Sequence, residues 1–171
     1  GLALRGRVAS LDLDAWRAIA REGGQNGSGL PLREVQLTGD QMIFAGRRFH
    51  GLTVLAQPVG RLWNIRLAGK EAQGEIQYEP ARGDAGDRLQ ARLARLALPE
   101  ADPSGSGPAP AAGELPRHME FDIRDLSYAG HALGAFQAHL ESDRGGYRGS
   151  RLSLEAPAAS LSANGWLSGN P

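Results

Sequence analysis

Arg33-Glu-Val-Gln-Leu-Thr-Gly-Asp-Gln-Met-Ile-Phe-Ala-Gly-Arg-Arg-Phe-His-Gly-Leu-Thr-Val-Leu-Ala56 recurs, with no gap, as Arg117-His-Met-Glu-Phe-Asp-Ile-Arg-Asp-Leu-Ser-Tyr-Ala-Gly-His-Ala-Leu-Gly-Ala-Phe-Gln-Ala-His-Leu140. At this offset of 84, Val35 falls on Met119, Leu37 on Phe121, Met42 on Leu126, Phe44 on Tyr128, Ala45-Gly46 on Ala129-Gly130 and Phe49 on Leu133. An offset of 85 lays Leu4 to Leu13 over Leu89 to Leu98, so two units of about 85 residues account for nearly all of the 171, divided as 1–87 and 88–171. Repetition at a fixed period predicts one repeat-built domain in which each unit completes its core against a neighbour. No polar constellation is preserved in both copies, which points to a scaffold or conduit and away from an enzyme.

The fold class follows from short apolar–polar alternations separated by Gly, Pro, Asn and Asp, the pattern of antiparallel strands with one buried face. Trp63, Ile65 and Leu67 alternate with Asn64 and Arg66, and Ile76 and Tyr78 with Glu75 and Gln77. Each unit reads as five strands: about 4–11, 33–44, 50–57, 62–68 and 73–79, then 88–96, 117–128, 134–142, 147–154 and 158–167. One short helix is expected at about 13–22, capped by Asp12 or Asp14 and ending before Gly23-Gly24. The corresponding place in the second unit, about 99–116, holds Pro99, Pro103, Pro108, Pro110 and Pro116 and reads as a flexible linker.

The alternation changes phase inside the long second strand of each unit. Val35 and Leu37 are followed by Met42 and Phe44; Met119, Phe121 and Ile123 by Leu126 and Tyr128. Side chains alternate strictly along a strand, so a bulge or bend is expected near Gly39–Gln41 and near Ile123–Asp125. A sheet bent at matching positions curls.

Composition excludes several functions. Charge balances at 19 basic and 19 acidic residues, without the basic footprint that nucleic acid or an anionic membrane surface requires. The absence of Cys removes disulfides, thiolate zinc sites and cysteine nucleophiles. No apolar run approaches the roughly 20 residues of a membrane span. The start, Gly1-Leu-Ala-Leu-Arg5, has neither an initiator Met nor the form of a signal peptide, and reads as a piece of a longer chain.

Chemistry-bearing patterns are equally sparse. His50, His118, His131 and His139 have no equivalents between the repeats and no zinc spacing, so neither a metal nor a cofactor is expected. Gly-x-Ser-x-Gly and phosphate-loop patterns are missing, and Asp12/Asp14 and Asp84/Asp87 read as a cap and a polar turn. The apolar stripes remain. Val54, Trp63, Ile65, Leu67, Ile76, Phe121, Ile123, Phe136, Leu140, Leu152, Leu154 and Leu161 would line either an open trough or the core of a closed sandwich, in which Trp16, Trp63 and Trp166 would all be internal.

The texts Gly46-Arg-Arg-Phe-His-Gly-Leu52 and Gly130-His-Ala-Leu-Gly-Ala-Phe136 resemble the Gly-x-x-Leu-Gly-x-Leu pattern of AsmA-like proteins, particularly the YhdP family. Gly6-Arg-Val-Ala-Ser-Leu-Asp-Leu-Asp-Ala-Trp16 and Leu161-Ser-Ala-Asn-Gly-Trp166 are similar to segments of the same family. The resemblance implies a taco-shaped β-groove of five-stranded repeats in the periplasmic body of an inner-membrane-anchored envelope protein. Such a groove carries phospholipid between inner and outer membrane; neighbouring repeats and envelope lipid are the implied partners, and no catalytic residues are implied. The alternative is a non-enzymatic structural or protein-interaction module of the envelope with a closed sandwich core.

Overall fold

Strict alternation along every apolar–polar segment gives strands and nothing else among the described residues. The structure, a computed structural model, describes residues 2–12, 32–44, 46–81, 86–100, 115–143 and 146–168. Ten strands follow in chain order: β1 Leu2–Asp12, β2 Leu32–Phe44, β3 Arg47–Val59, β4 Leu62–Ala68, β5 Ala72–Glu79, β6 Arg88–Leu98, β7 His118–Tyr128, β8 His131–Asp143, β9 Gly146–Ala156 and β10 Ala159–Ser168. The helix expected at 13–22 and most of the linker expected at 99–116 lie outside the described residues.

All ten strands form one sheet in sequence order, β1 to β10, and the sheet does not close on itself. Eight of the expected strands start or end within a few residues of the expected positions; β3 and β8 begin three residues earlier, because their turns are tight, with Gly46 at φ 66° and Gly130 at φ 79°. Antiparallel strands were expected throughout, but β1·β2 and β6·β7 are parallel and only the other seven pairs are antiparallel, because alternation fixes which face a strand buries and not the direction of its neighbour. Parallel pairing places the end of β1 and the start of β2 at opposite ends of the sheet, and likewise the end of β6 and the start of β7.

The register repeats where the sequence repeats. Leu4 faces Val35 and Leu11 faces Met42; in the second half Leu89 faces Met119 and Leu96 faces Leu126. Across the next ladder Val35 faces Ala56 and Phe44 faces Arg47, as Met119 faces Leu140 and Tyr128 faces His131.

A crease crosses the sheet at one level. Residues three apart on a regular strand point to opposite faces, yet Val8 and Leu11, Leu52 and Phe49, Leu93 and Leu96, Ile123 and Leu126, and Phe136 and Leu133 each join one apolar cluster. Leu37 and Met42, five apart, do the same. The ladders are irregular at this level. Pairing skips Asp40 and Gly51 between β2 and β3, and the β7·β8 register shifts between Ile123 and Leu126. Gly51 (φ 58°) and Gly134 (φ 100°) supply the left-handed backbone that the bend needs in β3 and β8. The expected bends near Gly39–Gln41 and Ile123–Asp125 thus belong to a feature that six strands share.

The β4–β5 and β9–β10 hairpins stop at the crease. β4 ends at Ala68, opposite Thr53, and β9–β10 turns after Ala156. Beyond the crease the ends of β1–β3 and of β6–β8 therefore project as two separate flaps. The core sits under this bend: Leu11, Met42, Phe49, Leu52 and Ala72, with Leu96 and Leu98 of β6 packed against them, and beside it Ala91, Leu93, Ile123 and Leu126.

Candidate functional site

In the rows that run through β4 and β5 the ladders put like beside like almost throughout, so this part of the sheet has one apolar and one polar face. Leu4, Val35, Ala56, Ile65, Ile76, Ala91, Phe121, Ala138, Leu152 and Ala163 are successive partners across all ten strands, and all are apolar. The next row on that face, from Gly6 and Leu37 through Val54 and Leu67 to Leu154 and Leu161, holds only apolar residues and Gly. One residue over, on the other face, Arg5, Gln36, Arg66, Glu75, Arg92, Asp122, Gln137, Ser153 and Ser162 form a row whose single apolar member is Leu55.

All twelve residues singled out in the sequence lie on the apolar face. Ile65, Ile76, Phe121 and Leu152 belong to the first row; Val54, Leu67, Ile123, Phe136, Leu154 and Leu161 to the second; Trp63 and Leu140 to a third, through Tyr78, Leu89 and Met119. Ile123 is buried under the bend, Leu161 is 65% exposed on the outermost strand, and the other ten are half-buried. Residues not singled out share the face: Leu4, Val35, Ala56, Ala91 and Met119. Their signal was present, since each sits at an alternating position, but Ala and a lone strand-end Leu carry little weight in a pattern.

With ten strands about 4.8 Å apart, the apolar face runs roughly 43 Å along its contour from β1 to β10. No second sheet lies against it among the described residues. Trp166, internal in any closed sandwich, is 54% exposed on the polar face and lies beside the Arg148 guanidinium, 5.3 Å from its ring centre.

The polar face carries surface ion pairs. Arg5 meets Glu34 at 2.7 Å, Arg7 meets Asp40 at 2.6 Å and Arg66 meets Glu75 at 2.9 Å. The Arg5 guanidinium and the Gln57 amide donate to Glu34 and hold its carboxyl below the usual range. A depression of about 320 Å³ opens over β6–β9, lined by Gln90, Arg92, Glu120, Asp122, Gln137, His139 and Arg151. His139 lies between Glu120 and Glu141, 3.5 Å from each, and His118 lies 3.8 Å from Glu141. Glu120 faces His139 and Glu141 faces His118 across the β7·β8 ladder, and among the described residues no group of three His, Cys, Asp or Glu is placed to hold a metal.

Tyr147 fastens the sheet where the chain enters β7. Its hydroxyl donates towards the carbonyls of Leu115 at 3.1 Å and Pro116 at 3.3 Å. Burial, helped by the nearby Asp87 charge, pushes the Tyr147 hydroxyl up from its ordinary value of 10.0.

Among the described residues no helix is long and apolar enough to cross a membrane. No curated protein and no solved structure matches the chain. The model of the YhdP protein family matches residues 1–170. The sequence resemblance, the unclosed sheet and this match over almost the whole length agree: the chain belongs to the YhdP family.

Proposed function

We propose that this chain is a segment of a periplasmic lipid-transfer protein, in which the apolar face of the sheet carries the acyl chains of phospholipid between the inner and outer membranes. One observation carries the reading. Rows of apolar residues continue unbroken across ten strands on a face that no described layer covers. A monomeric soluble protein rarely leaves such a surface to water, and a contiguous apolar strip marks a lipid or protein partner.

The physics suits transport better than capture. Each methylene withdrawn from water contributes about 0.8 kcal/mol, and successive strands offer nearly the same surface, so a chain can shift by one strand with little change in energy. The open edge of the trough lets the headgroup stay in water. Half of a ~30 Å hydrocarbon core is about one lipid tail in length, so a contour of roughly 43 Å accommodates lipids in file. Specificity for the headgroup is low, because the trough residues are apolar.

The two halves, 1–87 and 88–171, are read as equivalent five-stranded units of a longer array, with further repeats as neighbours along the sheet. The family and the resemblance support an envelope location and a role without catalysis. The rival, a docking module for an envelope protein, keeps the same face and replaces lipid by a partner chain.

The test is native mass spectrometry of the purified protein for co-purifying phospholipid, with Leu154→Asp beside the parent. The reading expects bound phospholipid in the parent and loss of it in a variant that keeps its β circular dichroism, since an open surface hydrates a charge that a closed core cannot. A parent free of lipid under gentle extraction, or a variant that unfolds outright, overturns it.

A further inference from the structure

The β4–β5 hairpin stops at the crease while β3 and β6 on either side run past it, which leaves a two-strand gap in the lip of the trough. Contacts of a different kind bridge that gap. Arg47, the first residue of β3, donates through Nη1 to the carbonyl of Pro99, just after β6, and its guanidinium carbon stands 5.2 Å from the centre of the Tyr128 ring at the end of β7. In a flat sheet β3 and β7 lie roughly 19 Å apart, so the two flaps must lean towards each other for one side chain to touch both. Glu71, at the tip of the short hairpin, joins the same two flaps. Its carboxylate accepts from the His50 backbone N–H of β3 at 2.7 Å, and its own carbonyl accepts from Ala97 N–H of β6 at 2.6 Å. Beneath these bridges Phe49 of one flap shares a cluster with Leu96 and Leu98 of the other.

We propose that Arg47 is a strap across this seam, holding the two flaps together as an openable stretch of the trough wall. The seam differs from the rest of the wall in how it is held. Elsewhere adjacent strands are zipped by ladders of backbone bonds, which part only with local unfolding. Among the described residues the flaps are bridged by the Arg47 guanidinium, the Glu71 carboxylate and a small apolar cluster, none of them a strand ladder, so they separate without breaking one. Arg suits the task because its planar fork bonds a carbonyl and lies on an aromatic ring at the same time, which Lys does not. Under the lipid-transfer reading, on which only this last step rests, a parted seam admits an acyl chain sideways into the trough.

The chain has no Cys, so spin labels at Ser10→Cys on β1 and Ala132→Cys on β8 report the seam cleanly; in a flat sheet the two strands lie roughly 33 Å apart, within range of pulsed electron resonance. Without lipid, the parent is expected to give one main distance and a small longer-distance population. Arg47→Ala is expected to add a longer-distance population two- to fivefold larger than any in the parent, the factor that a cation–π contact of ordinary exposed strength sets. Tyr128→Leu, which keeps the flap apolar, is expected to act in the same direction, and Arg47→Lys to fall between. Distances unchanged in both Arg47→Ala and Tyr128→Leu overturn the strap. Should Arg47→Ala lose its β circular dichroism, Tyr128→Leu alone decides. Uptake of a fluorescent phospholipid from vesicles is then compared in parent and variants. Faster uptake in the variants supports entry through the seam, and equal uptake despite wider distances removes entry through it. No uptake by the parent counts against lipid transfer while leaving the strap to the distances.

Discussion

Met42 folds its side chain back over Gly39, so that a β-carbon added to Gly39 would lie 2.6 Å from Met42 Cγ. Met42 is fully buried, and Gly39 is the residue that lets it turn inward at the crease of β2. Gly39→Ala should therefore destabilise by overpacking, by about 1–3 kcal/mol. Adding Met42→Ala should recover less than the full loss, since it opens a cavity of its own. Urea unfolding of the two single variants and the double variant measures the coupling.

Gly51 makes a different case. A β-carbon there meets nothing within 4 Å, yet its φ is 58°. Gly51→Ala should cost roughly 1–2 kcal/mol through backbone conformation alone. Gly51→Asn should cost less, because Asn tolerates the left-handed region. Equal losses in the two variants, read from thermal melts, would mean that something other than backbone conformation is at work.

Tyr147 should make stability depend on alkaline pH. Its folded-state pKa is raised, so its contribution is complete below the unfolded value near 10 and is lost as pH rises through the higher folded value. Tyr147→Phe should lose about 1 kcal/mol at neutral pH, the worth of a hydrogen bond, and should flatten the decline above pH 10. Denaturant midpoints between pH 8 and 11 would show both effects.

On the polar face, Arg66→Ala should change stability by less than about 1 kcal/mol, as expected for an exposed ion pair. Ile65→Ala, one residue away on the apolar face, should cost more, and the difference in urea midpoint measures the asymmetry between the two faces.

Much of this was legible before the structure. Alternation at Trp63–Leu67 and Ile76–Tyr78 gave the strands and the face, and the phase slip at Val35–Met42 gave the bend. What was not legible is how six separate slips align. Whether Leu11 lies level with Phe49 and Leu96 with Leu126 depends on the register of each ladder, which a single strand's pattern does not contain. The parallel pairing of β1 with β2 was hidden for the same reason: a strand shows which face it buries but not which way its neighbour runs. Arg47 gave no signal at all, because its partners Pro99 and Tyr128 are distant in sequence and meet only after the sheet has bent.

Ile65 and Arg66 are neighbours on β4 that point to opposite faces, and they allow the most direct test of lipid transfer. A photo-crosslinking amino acid is placed at one or the other position in the protein within the cell envelope, the cells are irradiated, and phospholipid attached to the purified protein is counted. The trough account predicts strong labelling from position 65 and background labelling from position 66. Equal labelling from the two positions, or a protein partner in place of lipid at position 65, would contradict it.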